Sequence, residues 1–79
     1  MDLIKLTEYL VKNLVKDTDS VSVSMSDGNE KVIDVIVSED DMPAVIGRGG
    51  KIANSIRNIV QASAYINNLG KVRVNISAK

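Results

Sequence analysis

The sequence predicts an α+β domain whose elements run in the order αββααβ, and three observations carry that reading. Two long stretches, residues 2–16 and a segment beginning near Gly50, repeat apolar residues at spacings of three and four, the period of an amphipathic helix. Two short runs alternate apolar and polar residues on either side of Asp27-Gly28-Asn29, the pattern of a hairpin. A glycine-rich break, Val45-Ile46-Gly47-Arg48-Gly49-Gly50-Lys51-Ile52, lies where a short helix meets a longer one. At 79 residues the chain is sized for one domain, 1–79.

Each element has its own signals. Asp2 is placed to cap the first helix, whose apolar side carries Leu3, Leu6, Leu10 and Leu14, widened by Ile4, Val11 and Val15. That width fits a generous core contact, with an association surface as the alternative. Asp17-Thr18-Asp19-Ser20 stops the helix with residues that prefer turns. Val21, Val23 and Met25 alternate with Ser22, Ser24 and Ser26, giving a strand with one wet face. The next strand, Lys31 to Val37, is nearly continuous in β-branched residues and belongs at the centre of the sheet. Ser38 followed by Glu39, Asp40 and Asp41 reads as a capping hydroxyl and acids at the positive end of a helix dipole, and Pro43 fits its first turn. The long helix buries Ala53, Ile56, Val60 and Ala64, with Ile52, Ile59 and Ile66 broadening that face, and ends at Asn67-Asn68-Leu69-Gly70. Val72, Val74 and Ile76 then alternate with Arg73, Asn75 and Ser77 in a last strand.

Composition excludes several kinds of chemistry. Without Cys there is no disulfide or thiolate site, and without His the commonest general base and metal ligand is missing. No cofactor or metal is expected, and Ser and Thr have no partner base with which to form a nucleophile. An enzyme is therefore not expected. No apolar run approaches the roughly 20 residues of a membrane span, and no signal peptide is expected ahead of the first helix, so a cytoplasmic protein is the expectation. The formal net charge of zero conceals a division. Residues 1–41 hold ten acids and four lysines, a charge of −6, whereas residues 42–79 hold six basic residues and no acid, a charge of +6. An anionic partner for the second half, or attraction between the halves, explains such asymmetry.

The glycine-rich break points to the first explanation. Gly47 and Gly50 bracket a two-residue turn, and glycine both takes positive φ and lets a ligand approach the main chain. Unpaired backbone N–H groups at the start of a helix suit a phosphate, and Arg48 and Lys51 add charge on either side. It is not a Walker loop, because Val45 stands where the first glycine belongs and Ile52 where Ser or Thr does. Nor is it a dinucleotide fingerprint, which requires a small residue at Ile52 and a preceding strand.

Ile46-Gly47-Arg48-Gly49-Gly50 between paired helices, within αββααβ order, resembles the type II, bacterial form of the KH domain. Met42, Val45-Ile46-Gly47, Gly50-Lys51-Ile52-Ala53 and Ile56-Arg57 are similar to the pattern of the small single-KH-domain RNA-binding proteins, the KhpA-like family, and the likeness runs essentially end to end. It departs at Ala53, where KH patterns place a large aliphatic, at Ala44, where a basic residue is frequent, and at Pro43. The resemblance implies a three-stranded mixed sheet with three helices on one face. It also implies single-stranded RNA as ligand, a chaperone or post-transcriptional role, and a homodimer or a heterodimer with a larger KH-containing protein. On this reading Gly47, Arg48, Gly49 and Gly50 hold the RNA backbone, Lys51 and Arg57 add charge, and Ile46, Ile52 and one face of the central strand wall a groove for bases. The absence of Phe and Trp excludes strong aromatic stacking platforms. The alternative is a KH-fold interaction module whose RNA binding is secondary.

Overall fold

The computed structural model describes residues 2–79. Helix α1 spans Leu3–Lys12, and the Asp2 carboxylate caps it by accepting from the Ile4 N–H at 2.8 Å. The helix stops about one turn short of the expected end. The Asn13 side-chain amide shares the Tyr9 carbonyl with its own backbone N–H, and the Leu14 N–H turns to the Val11 carbonyl at 2.9 Å, a tighter step that ends the helix. The buried line is Leu3, Thr7 and Val11, with Leu10, Leu14 and Val15 packed beside it, while Ile4 and Leu6 are half-buried.

Strand β1 (Ser22–Asp27) pairs antiparallel with β2 (Lys31–Val37), and β2 pairs in parallel with β3 (Val72–Ala78). The strand order β1-β2-β3 puts β2 at the centre, as its composition requires. The hairpin connection is Gly28 to Glu30, three residues, and none of them has positive φ, so it is not the two-residue type that Asp-Gly favours. As an edge strand β1 is mostly exposed, and even Met25 on its apolar side reaches solvent.

Parallel pairing of β2 with β3 demands a crossover. It is made by α2 (Met42–Ile46) and α3 (Lys51–Ile66), with Pro43 in the first turn of α2. The core unites Ile33, Val35 and Val37 of β2 with Val45, Ile56, Val60 and Ala64 from the helix pair, closed by Val72 and Val74 of β3 and by Leu3 and Val11 of α1. Ala53, Ile56, Val60 and Ala64 form the buried line of α3, as their spacing predicts. Ile59 and Ile66 do not join it. They are 46 % and 80 % exposed, because the helix turns them away from both the sheet and α1. Asn68 (φ 60°) and Gly70 (φ 75°) turn the chain back into β3. Among the described residues, no helix is long and apolar enough to cross a membrane.

The acidic run after β2 departs from its reading as dipole-facing acids. Ser38 makes no capping bond to the backbone, and its hydroxyl instead donates to Asp41 at 3.3 Å. Asp41 is buried and accepts the backbone N–H groups of Lys16 and Asp17, each at 3.1 Å, fastening the segment after α1 to the start of α2. Those two N–H groups, the Lys16 bond foremost, hold its carboxyl below the ordinary value of 3.8. A carboxyl depressed in the fold contributes stability that is present above its unfolded pKa and is lost as pH falls through its folded pKa. Asp41→Asn therefore lowers the melting temperature at neutral pH. The gap to wild type narrows as pH drops below 3.8, which thermal melts at stepped pH will read.

Candidate nucleic-acid interface

Helix α2 ends at Gly47, whose N–H donates to the Pro43 carbonyl at 2.9 Å. Gly47 adopts φ 75° and ψ 174°, a conformation open essentially to glycine alone. The chain then makes one tight turn, Arg48–Gly50, before α3 begins. Gly49 (φ 63°, ψ 19°) and Gly50 (φ 79°, ψ 11°) are both left-handed, so all three glycines of the loop use positive φ. The turn spends the N–H groups of Gly50 and Lys51 on the carbonyls of Gly47 and Arg48 and leaves those of Arg48 and Gly49 unengaged by it.

Arg48, Gly49 and Lys51 are exposed, and neither basic side chain takes part in the ion pairs found among the described residues, Glu8–Lys12 and Glu30–Arg73. Ile46 is half-buried at the end of α2. Ile52 is half-buried too and leans on Gly47: a Cβ at position 47 would stand 2.6 Å from its Cγ1. Gly47 thus serves packing as well as chain direction. Around Gly49 and Gly50 a Cβ would meet nothing within 4 Å, which is room for a ligand to approach the main chain.

Arg57 lies six residues beyond Lys51, about 9 Å along the helix axis. Its Nε donates to the Val74 carbonyl at 3.2 Å and one terminal nitrogen donates to Asn54 at 3.2 Å. Gln61, one turn further, donates to the Gly70 carbonyl and accepts the Val72 N–H, both at 2.9 Å. These two side chains fasten the outer edge of β3 and partly cover its unpaired backbone. Between α3 and that edge runs a groove of about 690 Å3, lined by Arg57, Asn58 and Gln61 on one side, residues 71–75 on the other, and Glu30 at the hairpin. This groove lies at the sheet edge, and Ile33, Val35 and Val37 of the central strand are fully buried in the core. Its lining mixes polar and charged side chains with Val72 and Val74. Asn58, Gln61, Lys71, Arg73, Asn75 and Glu30 were not singled out from sequence as site residues, because only the parallel β2–β3 register brings them together.

A KH-type module for nucleic acid is the class that this fold and loop define: αββααβ order, a mixed sheet, and a Gly-x-x-Gly turn between exposed cations. Comparison with known proteins gives the family. Residues 4–76 match the KhpA/KhpB KH-domain model, and the chain belongs to that family. The curated protein "RNA-binding protein KhpA" of Borreliella burgdorferi is 37 % identical over 62 residues, covering 77 % of this chain and 76 % of its own length. Its namesake in Clostridium perfringens is 40 % identical over 65 residues, 81 % of this chain and 87 % of its own. Among solved structures, Era in complex with MgGDPNP and nucleotides 1506–1542 of 16S ribosomal RNA superposes with a TM-score of 0.71 at 16 % identity, which is a likeness of fold. That match covers 98 % of this chain, which spans about 30 % of the Era chain.

Proposed function

We propose that the chain is a single-stranded RNA-binding protein, with the Gly47–Gly50 loop holding the sugar-phosphate backbone. The observation that carries this is the loop itself: three positive-φ glycines expose main-chain N–H groups between two unpaired cations, Arg48 and Lys51. Relatives named as RNA-binding proteins support the reading. Phosphates sit on the N–H groups of Arg48 and Gly49 and on the Arg48 guanidinium, and Lys51 adds charge one turn on. The strand then follows α3 to the α3–β3 groove, where Asn58 and Asn75 offer amide donors and acceptors to base edges. Arg57 is part of that groove and also braces β3. The protein works in the cytoplasm as an RNA chaperone or post-transcriptional regulator, by binding and not by catalysis.

Fluorescence anisotropy of a labelled short RNA at two salt concentrations tests this. Each phosphate neutralised on a single strand contributes about −0.7 to the slope of log affinity on log salt, so two or three contacts give about −1.4 to −2. Saturable binding with such a slope is the expected result, and failure of wild type to bind removes the proposal.

A second reading, association through α3 with a second copy or with a larger KH-containing protein, is favoured by Ile59, Tyr65 and Ile66, which expose apolar surface along one helix. It predicts that wild type sediments as a dimer and that Ile59→Glu/Ile66→Glu sediments as a monomer with its fold intact. A wild type that stays monomeric at high micromolar concentration, alone and with candidate KH-containing proteins, counts against it.

A further inference from the structure

We propose that Glu30 restrains RNA affinity: it is the one acid in the α3–β3 groove, and it holds Arg73 in an ion pair that phosphate must displace. The inference rests on the reading of the Gly47–Gly50 loop and α3–β3 groove as the RNA path. The groove carries three cations, Arg57, Lys71 and Arg73, and they are not equally available. Arg57 is braced against the Val74 carbonyl and Asn54. Arg73 donates to the Glu30 carboxylate at 3.1 Å, with the two side chains 64 % and 58 % exposed. Glu30 is brought there by topology. It ends the three-residue hairpin loop, and the parallel register that sets Lys31 opposite Val72 and Val32 opposite Arg73 carries it to the mouth of the groove.

Two consequences follow from elementary electrostatics. A cation paired with a carboxylate brings little net charge to neutralise a phosphate, so its contact releases few of the counterions condensed on the RNA and adds little to the salt-dependent part of binding. The carboxylate also repels the phosphate it faces, at a distance where salt screens only partly. The pair itself is exposed and therefore easily exchanged, so it restrains binding without closing the groove. Were the pair only a brace for the sheet, removing its charge would change the melting temperature and leave affinity alone.

The test is anisotropy of a labelled short RNA against wild type, Glu30→Gln, and Glu30→Gln/Arg73→Ala across a salt series, with thermal melts in parallel. Glu30→Gln is expected to bind about 3- to 10-fold tighter near 50 mM salt, with a slope steeper by about 0.7 and curves that converge at high salt. Arg73→Ala in that background returns affinity to about the wild-type value. Wild-type affinity and slope in Glu30→Gln, alongside loss of binding in an Arg48→Asp/Gly49→Asp control, overturn the role of Glu30 and leave the RNA path standing. A wild type that binds no RNA overturns both.

Discussion

Replacing Arg48 and Gly49 with aspartate is expected to weaken single-stranded RNA binding by about 100-fold or more while the protein stays folded. The double substitution changes the loop charge by three units where phosphate approaches. At about 4 Å in water each unit is worth about 1 kcal/mol, so about 3 kcal/mol is lost, or about two powers of ten. The fold survives for reasons visible in the loop. Arg48 is exposed, a side chain at Gly49 meets nothing within 4 Å, and Asp is among the few residues that visit the left-handed conformation Gly49 holds. Anisotropy reads the loss and circular dichroism the fold. Undiminished affinity in a folded variant would remove the loop from the mechanism.

Gly47→Ala is expected to have the largest effect on stability, and for a different reason. The residue keeps φ 75° and ψ 174°, where a Cβ costs about 1–3 kcal/mol in backbone strain. That Cβ would also lie 2.6 Å from Ile52 Cγ1 and 2.9 Å from Ile52 Cβ. The second atom is fixed to the α3 backbone, so no rotamer change relieves the clash, and overpacking adds about 1–3 kcal/mol. A total near 3 kcal/mol lowers the melting temperature of a domain this size by about 12–24 °C. Gly49→Ala, with an open surround, costs only the left-handed penalty of about 1–2 kcal/mol. Equal melting temperatures for the two variants would show that Ile52 does not wedge against Gly47.

The contrast between these glycines marks what sequence carried and what it did not. Their use of positive φ was legible, since three glycines in four positions between two helices have few other purposes. The packing of Ile52 on Gly47 was not, because it depends on how closely α3 starts after α2. Periodicity found the buried line of α3 to the residue but overextended it to Ile59 and Ile66, since a helical wheel cannot tell how far around the helix its neighbours reach. Asp41 was read as one of three dipole-facing acids. Its true partners, Lys16 and Asp17, are 25 and 24 residues away, and nothing local distinguishes it from Asp40. The central position of β2 followed from a β-branched run interrupted only by Asp34, whereas the parallel partner β3 came only from the KH resemblance. The groove went unread for that reason: Glu30 and Arg73 are 43 residues apart and meet only through the register.

Backbone amide chemical shifts of the 15N-labelled protein titrated with a short single-stranded RNA measure where RNA touches the chain. The largest changes are expected at Arg48, Gly49 and Gly50, followed by Lys51, Asn58 and residues 71–75 along the groove. Changes confined to the Ile59–Ile66 side of α3, with the loop amides unmoved, would contradict the loop as the RNA clamp and leave the interaction module as the better reading.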